Sequence, residues 1–125
     1  MKRLALVAAL LVAIAIAART IAFDTADGHD GNALLAQCRA AMRYSDDLNA
    51  RLAPVDALRV GRCIGYINAS TDAMYAKRFG VCPPESRIGT DQSMRIVVKH
   101  LESHPEDLHE HMFTLTHLAF IRAYP

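Results

Sequence analysis

At 125 residues the chain has room for one domain, which excludes a catalytic domain joined to a separate binding domain. Fourteen Lys+Arg stand against 13 Asp+Glu and there is no Trp, so neither the basic excess that grips phosphate backbones nor much aromatic surface for stacking bases is present. Nucleic acid is not the expected partner, and the 52% of hydrophobic residues is concentrated at one end of the chain.

That end is the N-terminus. Met1-Lys2-Arg3 is a short positive region, and Leu4 to Ala18 is a run of fifteen apolar residues. Small residues at Ala13, Ala15, Ala17 and Ala18 have the spacing a signal peptidase reads, and Asp24 to Gly31 is polar. A membrane span needs about 20 apolar residues, so residues 1–22 read as a signal peptide with a short flexible lead, and residues 23–125 as the exported domain. An uncleaved anchor and a buried N-terminal helix are the alternatives. Cleavage after Ala18 removes Lys2 and Arg3 and leaves 12 cations against 13 anions, a nearly neutral protein.

Four helices are expected after it. Leu34, Leu35, Cys38, Ala41 and Met42 fall at helical spacing after Asp30-Gly31-Asn32. A second helix starts at Pro54, whose missing N–H costs nothing in a first turn, and continues through Val60, Cys63, Ile64, Ile67 and Met74 to about Ala76. Gly61 and Gly65 within it each cost about 1 kcal/mol of helix propensity, so close approach of a neighbouring helix is expected there. Phe79 to Gly89 is irregular, because Cys82-Pro83-Pro84 cannot continue a helix. Thr90 is the expected cap of a third helix with the stripe Met94, Val97, Val98 and Leu101.

Ser103 and Glu106 have capping-box spacing around Pro105, which predicts a fourth helix from there to about Ala123. Glu106, Asp107 and Glu110 then complement its dipole. This helix carries two apolar stripes, Leu108, Met112, Leu115 and Ala119 on one side and Phe113, Phe120 and Tyr124, with His117 nearby, on another. Either it is the central helix of the bundle or its second stripe is covered by another subunit. No alternating strand pattern or phosphate loop is present, and the predicted fold class is all-α, a compact bundle of about four helices with one intrachain disulfide.

Export to an oxidising compartment makes Cys38, Cys63 and Cys82 disulfide candidates. Cys38 with Cys63 is the preferred pair, since both lie on helices that a bridge would pin together; it stabilises by on the order of 3 kcal/mol. Cys82 is left unpaired or available to another molecule. The six histidines include His100, His104, His109 and His111, but no zinc motif: Pro105 interrupts the run, and it reads as a solvated helix corner with no metal and no cofactor. The acids do not form a recognisable catalytic pair and no signature marks a nucleophilic thiol, so no enzymatic activity is expected.

Four segments together resemble a known family. Asp30-Gly31-Asn32-Ala33-Leu34-Leu35-Ala36-Gln37-Cys38, Cys63-Ile64-Gly65-Tyr66-Ile67, Cys82-Pro83-Pro84, and His104-Pro105-Glu106-Asp107-Leu108-His109 running to Ala123-Tyr124-Pro125 are similar to the Rap/Tai immunity proteins of bacterial type VI secretion systems. The resemblance implies a small helical periplasmic protein, often dimeric, that binds and blocks a peptidoglycan amidase effector. It carries over to Cys38, Cys63, Tyr66, Cys82, Pro83, Gln92, Leu101, His104, Pro105, Glu106 and His109 as scaffold. Gly89 departs from the family's usual Thr, and family members tend to carry a cysteine after a sequence like Ala-Tyr-Pro, the natural partner of Cys82. Irregular elements are the expected effector contacts: Glu85, Ser86 and Arg87 in the loop, and Glu102, Ser103 and Asp107 at the corner. Phe113, His117, Phe120 and Tyr124 form a core or dimer stripe. A periplasmic stress chaperone, suited by a histidine cluster titrating near neutrality, and an orphan envelope-binding protein of the same fold are the competing readings.

Overall fold

A computed structural model of the chain describes residues 28–77 and 79–125; the segment read as a signal peptide lies outside them. Four helices follow in order, α1 (Gly31–Asp46), α2 (Pro54–Lys77), α3 (Thr90–Ser103) and α4 (Met112–Ala123), with a single 3-10 turn at Pro105–Asp107. No strand occurs among the described residues, and no helix among them is long and apolar enough to cross a membrane.

Helix α1 begins where Asp30, in extended conformation, accepts the Ala33 N–H on Oδ1 at 2.9 Å, satisfying one of the donors a helix start leaves open. Its apolar positions bury Leu34, Leu35, Cys38 and Ala41 against α2, which starts at Pro54 and answers with Val60, Cys63, Ile67 and Met74. Cys38 and Cys63, both fully buried, form the disulfide across this contact with Cα atoms 5.1 Å apart. Full burial of side chains such as Leu34, Ile67, Leu101 and Leu115 contributes roughly 1.5 to 3 kcal/mol each.

Helix α3 packs against all three other helices. Its buried stripe is the expected Met94, Val97, Val98 and Leu101, with Ser93 below it hydrogen-bonded to Thr71 of α2 at 3.1 Å. It runs antiparallel to α1, and charged pairs line the seam: Arg39 with Glu102 at 3.0 Å, and Arg95 with both Asp46 at 2.6 Å and Asp91 at 2.8 Å. The Arg95 hydrogen bond holds the Asp91 carboxyl below the usual carboxylate range. These pairs are exposed, so their worth is registration of the two helices more than stability.

Four expectations need correction. Gly89 in extended conformation is the N-cap of α3, and Thr90 is its first residue; the Thr90 hydroxyl instead donates to Asn68 Oδ1 on α2 at 2.6 Å. Gly61 and Gly65 face open space, and no neighbouring helix approaches them. The fourth helix begins at Met112, not near Pro105, with His111 as its N-cap, so Glu106, Asp107 and Glu110 precede it, and Ser103 forms no capping box because its hydroxyl donates to the Lys99 carbonyl at 2.7 Å. The physical reason is tertiary: Asn32 donates its N–H and its Nδ2 to the Leu108 carbonyl, both at 3.1 Å, Gly31 donates to Glu110 at 3.0 Å, and Met112 donates to His29 at 2.8 Å. Hydrogen bonds to the start of α1 hold residues 108–111 in a turn that ends in extended His111, where local propensity favoured a helix. Finally, of the two readings of the fourth helix the central one fails, because α4 packs chiefly on α3.

Candidate partner-binding surfaces

The 79–89 segment is irregular but braced. Phe79 and Gly80 turn the chain out of α2 with positive φ, and Val81 and Ile88 anchor both ends of the loop in the core at 2% and 7% exposure. Between them Tyr75 of α2 gathers the loop on one hydroxyl, which lies 3.3 Å from the carbonyls of Pro84 and Ser86 and accepts the Ile88 N–H at 3.1 Å. Arg87 pairs with Asp72 and lies over the Tyr75 ring at 5.5 Å. Glu85, Ser86 and Arg87 are therefore exposed on a loop whose backbone is fixed from below.

Cys82 is exposed and is not in a disulfide among the described residues. Its N–H donates to the Tyr124 carbonyl at 2.9 Å, which places the end of α4 beside the loop.

The expected corner residues are not one cluster. Glu102 is exposed and faces α1 through Arg39, Ser103 lies on the last turn of α3, and Asp107 is half-buried in the 3-10 turn. Ser103 instead borders a feature that sequence reasoning missed, a cavity of about 280 Å³ between α3 and α4 lined by Ile96, Lys99, His100, His104, Ala119 and Arg122. His100 was expected in solvent and is 6% exposed. Burial, then the adjoining His104 and Arg122, keeps its pKa below the usual histidine value, while Asp107 pulls the other way. The sequence signal was present in His100 and His104, one turn apart, but nothing in it marked Arg122 as their neighbour.

The second stripe of α4 divides. Phe120 is core at 2% exposure and Tyr124 is half-buried, its hydroxyl accepting from Gln92 Nε2 at 3.2 Å. Phe113, 52% exposed, stacks on His117, which also meets the exposed Phe79 edge-on, so an aromatic patch joins α4 to the loop. No group of three or more His, Cys, Asp or Glu placed to hold a metal occurs among the described residues.

A helical scaffold with a disulfide between its first two helices and a braced loop is thus what the four sequence segments build. A family model described as Rap1a immunity proteins matches residues 30–125, from the α1 cap to the chain's last residue. No curated protein and no solved structure matches the chain. The match takes in all four helices, the disulfide and the loop, and the chain belongs to the Rap1a immunity protein family.

Proposed function

We propose that this immunity protein is a periplasmic inhibitor of a type VI secretion effector, a peptidoglycan amidase whose substrate cleft it occludes. Family membership supports the immunity role, and the observation that carries the mode of action is the braced 79–89 loop. Tyr75 and Asp72 hold it from α2, so Glu85, Ser86 and Arg87 meet a partner without an ordering cost on binding. Inhibition then follows from excluding the peptide substrate, and no residue of this chain performs chemistry on the effector. The leader 1–22 supplies export, and the bridge between α1 and α2 suits an oxidising compartment. A second copy is proposed to pack on the patch of Phe79, Phe113 and His117.

The test is inhibition of the amidase encoded beside this chain's gene, measured as peptidoglycan hydrolysis with and without the purified protein. The expected outcome is stoichiometric inhibition, weakened at least about tenfold by Arg87→Glu or by Asp107→Lys, which corresponds to about 1.4 kcal/mol. Promiscuous binding of unfolded envelope proteins that grows on acidification, with no effect on the amidase, would replace this reading with the chaperone.

A further inference from the structure

The α3–α4 cavity gathers positive charge at its mouth, and Asp107 is the acid that acts on His100. Lys99 and Arg122, both exposed at its mouth, have no ion pair among the described residues. Arg122 Nη1 lies 3.3 Å from His100 Nδ1, 2.5 Å from His104 Nε2 and 3.4 Å from His104 Nδ1. A guanidinium can only donate, so His100 Nδ1 and the nearer nitrogen of His104, Nε2, present lone pairs to it. His104 Nδ1 lies 2.8 Å from the His100 carbonyl, which can only accept, so that nitrogen carries the proton. Arg122 thus meets imidazole nitrogens and no carboxylate at ion-pair distance among the described residues. The proton of His100 sits on Nε2, a buried atom with no hydrogen-bond partner. A cavity whose mouth carries a guanidinium and an ammonium suits an anion, and Arg122 disfavours a cation.

The walls narrow the class of anion. Ile96, Ala119 and Ala123 line the cavity with methyl and methylene surface. Inorganic phosphate or sulfate is polar on every side and leaves that surface unmatched, whereas a glutamate side chain sets two methylenes on it and its carboxylate on Arg122, where bidentate pairing is geometrically favoured. We propose that this cavity is a carboxylate-binding site that receives an acidic side chain, a glutamate by its fit, from the effector. The site rests on the immunity reading for the identity of its partner and on the geometry alone for its chemistry. Entry of the carboxylate draws Arg122 from the two imidazoles, and the α3–α4 corner beside Ser103 becomes part of the interface.

Two measurements test this. The first needs no effector: the purified protein is titrated with N-acetyl-glutamate-N-methylamide at fixed ionic strength while the imidazole resonances of His100 and His104 are followed. Saturable shifts are expected, weakened at least about tenfold in Arg122→Gln and less so in Lys99→Gln, both at exposed positions where folding persists and is checked by thermal melting. Equal shifts with the neutral N-acetyl-glutamine-N-methylamide, equal or tighter binding of inorganic phosphate, or no saturation overturns the site. The second measures effector affinity, expected to fall at least about tenfold in Arg122→Gln; unchanged affinity overturns the assignment to the effector interface. If the wild-type protein does not inhibit the amidase at all, the immunity mode fails separately, and the first measurement still decides the chemistry of the cavity.

Discussion

Gly31 lies against the backbone of Leu108: a Cβ at Gly31 would stand 3.0 Å from both the Leu108 Cα and its carbonyl oxygen, and would overlap the Leu115 side chain. The backbone on one side cannot yield without breaking the hydrogen bonds from Asn32 to the same carbonyl. Gly31→Ala is expected to destabilise by about 1 to 3 kcal/mol, the usual cost of overpacking a filled site. Urea denaturation checks it, and an unchanged midpoint would contradict the packing described.

Gly61→Ala and Gly65→Ala should do the reverse. Both positions are inside α2, open to solvent, and a methyl meets nothing within 4 Å. Each is expected to stabilise by about 0.5 to 1 kcal/mol through helix propensity and a less entropic unfolded chain, read as a raised melting temperature.

Removing the covalent tie between α1 and α2 by the double change Cys38→Ala and Cys63→Ala is expected to cost on the order of 3 kcal/mol. Alkylation followed by mass spectrometry should label a single thiol, Cys82, before reduction of the native protein, and all three cysteines after reduction and unfolding. An intrachain bridge containing Cys82 contradicts the structure.

Stability should decline as the pH falls from about 6.5. The folded state depresses the pKa of His100, through burial first and the charges of His104 and Arg122 second, so the unfolded chain takes up a proton that the folded chain resists. The stabilisation of the neutral form is complete above the unfolded value of 6.5 and is lost as the pH drops through the lower folded value. Asp107, the acidic group acting on the ring, reduces the size of the effect without reversing it. His100→Asn should flatten the dependence of the denaturation midpoint on pH in this window.

Tyr75→Phe removes the acceptor of the Ile88 N–H at a position only 7% exposed. A loss of about 1 to 3 kcal/mol is expected for the unpaired buried donor. Faster amide exchange at Ile88 should accompany it, with the exchange of α1 amides unchanged relative to global stability.

The elements legible in the sequence were those decided by local signals. The Met94–Leu101 stripe and Pro54 placed α3 and α2 to within a residue or so, and the Cys38–Cys63 bridge followed from two helices that needed a common face. The start of α4 was not legible, because Ser103, Pro105 and Glu106 spell a helix start that the remote residues His29, Gly31 and Asn32 overrule through backbone hydrogen bonds. The cavity was hidden for a similar reason: Arg122 and His104 are 18 positions apart, and only the packing of α4 on α3 makes them neighbours. The glycines of α2 misled in the opposite direction, since helical spacing sets Gly61 and Gly65 on the exposed side, away from the buried Val60, Cys63 and Ile67.

The clasp between residues 29–32 and 108–112 also fixes an order of events. The first turn of α1 is made early in synthesis, but the acceptors at Leu108 and Glu110 arrive only after almost nine-tenths of the chain exists. Until then, Gly31 and Asn32 have only water to bond, and closing a contact across so many residues is the slow, entropy-limited kind. The leading edge of the domain is consequently expected to gain protection late in folding, read as amide exchange at Gly31 and Asn32 slowing after that of α2 and α3.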